Sequence, residues 1–382
     1  MRRVYSMNGG ASTDVTRAVV SLGAFRRNLA SVRSYCGSGV RIMPVVKANA
    51  YGHGMTRIAG EAVAAGADAL AVARVAEALE LRGAGISAPV LVFEIPPALS
   101  IESALAEGVD LSVSTGESAR EISAAASRAG KTCRIHIKVD TGMTRLGFPD
   151  RAAPDEITSC LRLPRLELAG VYSHFATADE PDSAFALSQL ARFRQVLEQI
   201  RKRGIVPPLV HMANSGAIIN LPDARFDMVR PGIMLYGYTP SRTMEEKHPV
   251  SPALSLVSKI SMLRAVEAST TVSYGRRYAA PGSTVIATVP VGYGDGYSRL
   301  LTGRAAVLIR GRRYPVVGTI CMDHVMVDLG PESDCRAGDT VTLIGRDGGE
   351  SISAWDIART LGTIPYEVTC AVASRIPREY VD

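Results

Sequence analysis

VRIMPVVKANAYGHG, residues 40–54, is an apolar run of strand length that meets a lysine at its end, with Gly52, His53 and Gly54 close behind. Apolar side chains occur on both parities, so the run reads as a strand covered on both faces. Seven more runs of this texture follow: ALAVAR (69–74), PVLVFE (89–94), DLSVS (110–114), RIHIKVD (134–140), LAGVYSH (168–174), LVHMA (209–213) and MVRPGIMLYG (228–237). Between them lie helical stretches such as RVAEALELRGAG and GESAREISAAASRAG, whose Ala, Leu and Ile faces would cover strands and whose Gly ends would stop them. Eight alternations are the number that closes a ring. The pattern predicts an α/β fold with an N-terminal (β/α)8 TIM-type barrel rather than an open doubly wound sheet.

After about residue 250 the texture changes. ALSLVSKISMLRAV, STVIATVPVGY, AAVLIRGRRYPVVG, HVMVDLG and DTVTLIG are strands without long helices between them, and SAWDIARTLG (353–362) reads as one short helix behind a Ser cap. This predicts a barrel domain over 1–245 and a mainly-β C-terminal domain over 246–382, whose last residues are expected to pack back on the barrel.

Hydrophobic residues at 47% and charged residues at 21% place the chain among water-soluble globular proteins. The net charge of +6 and pI near 9.0 raise the question of an anionic polymer as partner. Lys and Arg are scattered, however, and the clusters RKR (201–203) and RGRR (310–313) have no interleaved aromatics, so no nucleic-acid surface is expected. The six cysteines are widely spaced, form no short-spacing metal motif, and read as reduced thiols. The N-terminus, MRRVYSMNGGASTDV, has no apolar core of a secretory leader, and no membrane span follows. The expectation is a cytoplasmic protein that binds neither membrane nor metal.

In such barrels the chemistry sits at the carboxyl ends of the strands. Lys47 ends the first run; Lys138, Asp140 and Arg145 end or follow the fifth; His174 ends the sixth; Asn214 and Ser215 follow the seventh; Arg230 and Gly232 lie in the eighth. Each alone has an ordinary reading as a solvated lysine, a satisfied histidine, a paired arginine or a helix cap. Their convergence on one rim does not. Ser215-Gly216 and Gly232-Ile233 follow strands seven and eight, where backbone N–H groups can seat a phosphate. A phosphate seat with a lysine across from it suits a cofactor that carries both a phosphate and an aldehyde, pyridoxal 5′-phosphate, with the lysine as its Schiff base.

VVKANAYGHG (45–54) also resembles the cofactor-attachment signature of the alanine racemase family. KVDTGMTRLGF (138–148), HFATADE (174–180), HMANSGA (211–217), VRPGIMLYG (229–237), VSYG (272–275), VGYGDGY (291–297), ICMDHVMVDLG (320–330) and IPYE (364–367) extend the likeness in family order over nearly the whole chain. The resemblance implies a barrel plus β domain working as a head-to-tail homodimer with shared active sites. It implies interconversion of L- and D-alanine, supplying D-alanine for peptidoglycan. A broader-specificity amino acid racemase and a fold-related decarboxylase of basic amino acids are the alternatives. A decarboxylase usually presents cysteine where VSYG stands, and exported broad racemases carry a leader.

By the same resemblance Lys47 holds the cofactor, and Tyr51, Ser215, Gly232, Ile233 and Tyr366 hold its phosphate. Arg230 faces the pyridine nitrogen and is fixed by His174. Because a guanidinium donates and does not protonate its partner, the ring becomes a weaker electron sink, which favours reprotonation over transamination. Two-base racemisation needs an acid/base group on each face of Cα, and these are implied to be Lys47 and the partner subunit's Tyr274. Arg145 and Met322, the latter through its backbone amide, are implied to meet the substrate carboxylate, with Asp323 behind Met322. Tyr293 is implied to line the entrance, and Lys138 matches a lysine that some members carry as a carbamate. The chain departs from many relatives at His324, where Gln is common, and at Asn49-Ala50, where Asp precedes Gly or Ala.

Overall fold

The computed structural model describes residues 14–245 and 250–382. Residues 1–13, on which the reading of the N-terminus rests, and 246–249, at the expected domain boundary, lie outside them. The described residues form two compact units, 26–50 with 55–250, and 14–25 with 51–54 and 251–382.

The first strand, β1 (Arg17–Ser21), belongs to the second unit. The first unit is built on β2 (Arg41–Ile42), β3 (Leu70–Val72), β4 (Val90–Val92), β5 (Asp110–Val113), β6 (Cys133–Asp140), β8 (Leu166–Tyr172), β9 (Val210–His211) and β10 (Met228–Val229), with a short β7 (Phe148–Pro149) flanking β6. These eight pair in parallel in the order β3-β4-β5-β6-β8-β9-β10-β2. The ring closes where Val45 bridges Ala71: Val46 N–H donates to Ala71 O at 2.8 Å and Ala71 N–H to Pro44 O at 2.9 Å. The eight apolar runs thus supply the eight staves of the barrel. Every residue of β3, β4 and β5 is buried, as a strand covered by helices outside and side chains inside must be.

The helices follow their sequence signals. Gly116–Arg128 begins behind Thr115, whose Oγ1 accepts from Ser118 N–H at 3.0 Å. It buries Ala119, Ile122, Ala125 and Ala126, a stripe at helical spacing, and each fully buried isoleucine is worth roughly 1.5–3 kcal/mol.

The second unit adds β11 (Leu254–Lys259), β12 (Met262–Val266), β13 (Thr271–Val272), β14 (Tyr278–Ala279), β15 (Thr284–Val289), β16 (Ala306–Ile309), β17 (Arg312–Val317), β18 (Val325–Asp328), β19 (Thr340–Asp347), β20 (Glu350–Ile352) and β21 (Arg378–Val381). One sheet runs β12-β15-β18-β17-β16-β19-β11-β1-β21, with β20 on β19, while β13 and β14 form a separate ribbon. The expected Ser cap holds: Ser353 Oγ accepts from Asp356 N–H at 3.2 Å and opens the helix Ala354–Leu361.

The N-terminal segment departs from the expected division at 245. Rather than grouping with the barrel, β1 pairs antiparallel with β11, Val19 opposite Ser255, and parallel with β21, Val19 opposite Glu379. Its burial alternates residue by residue, the period of a strand with one wet face, which sets it apart from the doubly covered barrel strands. The last strand accordingly lies beside β1 in the β-rich unit.

Candidate active site

Lys47 ends the first barrel strand at the start of an unusual turn. Ala48, Asn49, Ala50 and Tyr51 all have φ between 52° and 53°, four successive residues in the left-handed region. L-residues pay about 1–2 kcal/mol each for that conformation, so the turn must be held from outside. Glu77 does much of this: its Oε1 accepts from Ala48 N–H at 2.7 Å and its Oε2 from Ala73 N–H at 2.8 Å. Asn49 Oδ1 accepts from Met55 N–H at 2.8 Å. Asn tolerates this region better than most residues, a physical reason for its place here. Ala48 is exposed, and Ala48→Gly should raise stability by roughly 0.5–1 kcal/mol in chemical denaturation, because glycine is unstrained at this φ.

The same rim carries a group of basic side chains, one of them after β10, the strand next to β2. Arg230 is only 3% exposed. It donates to Ser173 O (2.7 Å), Met212 O (3.0 Å), His211 Nδ1 (2.8 Å) and His174 Nδ1 (3.1 Å). Burial lowers its pKa to about 10, which leaves it cationic at neutral pH. Lys138 sits 4.9 Å from the centroid of the Tyr172 ring, and the Arg230 guanidinium lies 5.4 Å from the same centroid. Burial first, then Arg230 and Arg145, holds the Lys138 amine well below the ordinary lysine range. Burial also raises the Tyr172 hydroxyl to about 12, and that hydroxyl bonds Ser112 Oγ at 2.8 Å. Three basic groups with such surroundings favour a bound anion.

A second anion seat lies after β9 and β10. Ser215 opens the helix Ser215–Asn220, and Ile233 opens the 3-10 turn Ile233–Tyr236. The buried N–H groups of Ser215, Gly216 and Ile233 find no acceptor among the described residues. Gly232 N–H donates to Ser215 Oγ at 3.0 Å, leaving the Ser215 O–H to donate onward. Buried orphan donors at helix starts fit the phosphate of pyridoxal phosphate, and Lys47 fits its aldehyde.

Behind Arg230 runs a chain of buried rings. His211 Nδ1 accepts from Arg230, so its remaining proton is on Nε2 and is donated to His136 Nδ1 at 2.9 Å. The His136 Nε2–H then faces Asp110 Oδ2 at 3.5 Å, and Asp110 is paired with Arg134 at 3.1 Å. Burial first, then the positive charge of Arg230, pushes both His174 and His211 well below the usual histidine value of 6.5. Unfolded, these imidazoles take up protons as pH falls below 6.5; folded, they refuse them. Stability therefore falls with decreasing pH, by about 1.4 kcal/mol per pH unit for each group. Urea titrations from about pH 7 down to about pH 5 should show this slope developing as pH falls through 6.5, and His174→Gln, which keeps an acceptor for Arg230, should remove one group's share.

In the β-rich unit, Tyr51 and Tyr366 lie with ring centroids 5.9 Å apart, and burial raises the Tyr51 hydroxyl far above its ordinary value. Tyr274 is 72% exposed. Its backbone is pinned: Thr319 Oγ1 donates to Tyr274 O at 2.7 Å, and the preceding Ser273, itself at φ 65°, donates to Thr319 O at 2.5 Å. Met322 and Tyr293 are also exposed, on loops joined by Tyr293 N–H donating to Cys321 O at 3.0 Å.

The expected site residues thus fall in two sets. Lys47, Lys138, Arg145, His174, Ser215, Arg230, Gly232 and Ile233 belong to the barrel unit, and Tyr51, Tyr274, Tyr293, Met322 and Tyr366 to the β-rich unit. Glu77, His136, His211 and Asp110 were not singled out from sequence. Glu77 sits in an ordinary helix with no motif, whereas His136 and His211 do stand in the conspicuous stretches RIHIKVD and HMANSGA.

Residues 20–240 match the family described as alanine racemase, N-terminal domain, and residues 253–380 match alanine racemase, C-terminal domain. The chain is 43% identical over 367 residues to alanine racemase 2 of Caldanaerobacter subterraneus, covering 96% of this chain and 95% of that one. It superposes on the alanine racemase of Clostridium difficile with TM-score 0.93, at 37% identity and 97% coverage of each chain. The Bacillus anthracis alanine racemase with bound L-Ala-P gives TM-score 0.92 at 38% identity, covering 98% of this chain and 96% of that one. The chain belongs to the alanine racemase family.

Proposed function

We propose that this chain interconverts L- and D-alanine with pyridoxal 5′-phosphate, as a cytoplasmic homodimer that supplies D-alanine for peptidoglycan. The observation that carries the reading is Arg230, a buried guanidinium fixed by four acceptors on the rim that also bears Lys47. Bound pyridoxal phosphate supplies an aldehyde for the amine and a ring that draws electron density from Cα. Arg230 would donate to the ring nitrogen without giving up its proton, which would limit that withdrawal and favour simple return of a proton to Cα. Lys47 anchors the cofactor and serves one face of Cα, and the partner subunit's Tyr274 serves the other.

Ser215, Gly232 and Ile233, with the Tyr51 and Tyr366 hydroxyls, hold the phosphate. Arg145 and the Met322 amide hold the substrate carboxylate, and Tyr293 narrows the entrance to favour a small side chain. Burial, with Arg230 and Arg145 beside it, disfavours the charged form of Lys138, and the uncharged amine is the form that takes up carbon dioxide. Lys138 as a carbamate would turn a repulsive neighbour of Arg145 into an attractive one. L-Ala-P bound to the Bacillus anthracis relative supports an alanine-sized ligand.

The test is turnover of L-alanine in deuterium oxide by the cofactor-loaded protein, with chiral separation. D-alanine carrying deuterium at Cα is the expected product. Cofactor-loaded protein that forms none is not an alanine racemase.

A further inference from the structure

The segment VGYGDGY (291–297) has the glycine spacing of a phosphate loop but builds something else. Its 3-10 turn, Tyr293–Asp295, lies under the loop Cys321–Asp323. Tyr293 N–H donates to Cys321 O at 3.0 Å and Gly294 N–H to Met322 O at 2.9 Å. The approach is close enough to demand glycine: a Cβ on Gly292 would lie 2.3 Å from both Cys321 O and Met322 O.

This contact fixes a direction. The Cys321 carbonyl and the Met322 N–H belong to one planar trans peptide, so they point opposite ways. Holding the carbonyl on Tyr293 turns the Met322 N–H away from the turn. Met322 is 53% exposed, and its N–H has no acceptor among the described residues. The result is an aimed, unspent donor.

The turn is itself held by ionic contacts. Asp295, 5% exposed, accepts from Gly292 N–H at 2.9 Å through Oδ2 and from Arg375 Nε at 2.7 Å through Oδ1. The other arm of the same guanidinium, Nη2, donates to Asp323 Oδ1 at 2.8 Å. A Cβ on Gly294 would lie 2.7 Å from Arg375 Nη2, so the arginine packs directly beneath the turn. One side chain therefore ties the turn, through Asp295, to the residue that follows Met322.

We infer that Arg375, through Asp295 and Asp323, is the positioning residue that aims the Met322 N–H at the substrate carboxylate. This rests on the carboxylate role proposed above for Met322. Lysine cannot replace it fully, since a single ammonium lacks the fork that reaches two carboxylates in fixed geometry.

The test uses the cofactor-loaded full chain labelled with 15N-methionine, and propionate as a carboxylate probe. Propionate should shift the resonance that disappears in Met322→Leu. Arg375→Ala should weaken propionate binding and raise the KM for L-alanine about tenfold, as loss of a hydrogen bond to a charged group does, while kcat moves less than about threefold. Arg375→Lys should fall between, and guanidinium added to Arg375→Ala should restore much of the affinity. Should Arg375→Ala fold poorly, Asp323→Asn, on the exposed arm, should still weaken propionate about threefold without lowering the melting temperature. Unchanged propionate affinity in Arg375→Ala or in a folded Asp323→Asn overturns the positioning role. A Met322 resonance indifferent to propionate, in protein that racemises alanine, removes this inference and leaves the racemase reading intact. Absence of racemisation with that resonance still responding does the reverse.

Discussion

Lys47→Ala protein should lose racemisation by at least about 10⁴-fold and purify without the visible absorption of bound pyridoxal phosphate. The size follows from two roles meeting in one amine, covalent anchoring of the cofactor and proton transfer at one face of Cα. The turn behind Lys47 shows why a displaced amine would not serve. Four left-handed residues, held by Glu77 and Asn49, fix where the strand ends. The protein should stay folded, because Lys47 is half-buried and its removal opens no apolar cavity. Retained colour together with retained turnover would end the assignment.

Tyr274→Phe should lower racemisation about 10²- to 10⁴-fold, the range of a lost general acid or base, while leaving cofactor binding unchanged. It should also leave a signature that a damaged fold would not. With one acid/base group intact, one enantiomer of alanine should still exchange its Cα proton for solvent deuterium without inversion. Mixing Tyr274→Phe with Lys47→Ala gives the complementary result. Random re-pairing makes half of the dimers hybrid, and one of the two sites in each hybrid holds both intact groups. Activity should therefore recover toward about a quarter of the parent value. Demonstrated subunit exchange with no recovery would separate Tyr274 from the partner's site.

The barrel was legible because its signal is local. Each strand is an apolar run of a few residues, and each helix carries its own stripe and stop. The placement of Lys47, His174 and Arg230 at strand ends was legible because strand ends can be counted along the chain, whereas the roles of His174 and Arg230 came from the family resemblance. The contacts supporting those residues were not. His136 and His211 meet across 75 residues of sequence, and Arg375 and Asp295 across 80. No window along the chain contains both members of either pair. The departure of β1 was visible in principle, since its two-residue period differs from the barrel strands, but only its pairing with β11 and β21 gives that period a partner.

The row of rings from Arg230 to Asp110 looks like a path along which a proton could cross the barrel. Its hydrogen bonds all run one way, with every donor already committed to the next acceptor. Such a row could pass one proton from the Arg230 end toward Asp110, but it is reset for a second only when both imidazoles turn over. Both are fully enclosed, and His211 lies flat against Tyr172 at a centroid distance of 4.9 Å, within 3° of parallel. The row is thus ill suited to repeated proton passage and behaves as a strut, carrying orientation from Asp110 through two enclosed rings, one of them stacked on Tyr172, to Arg230.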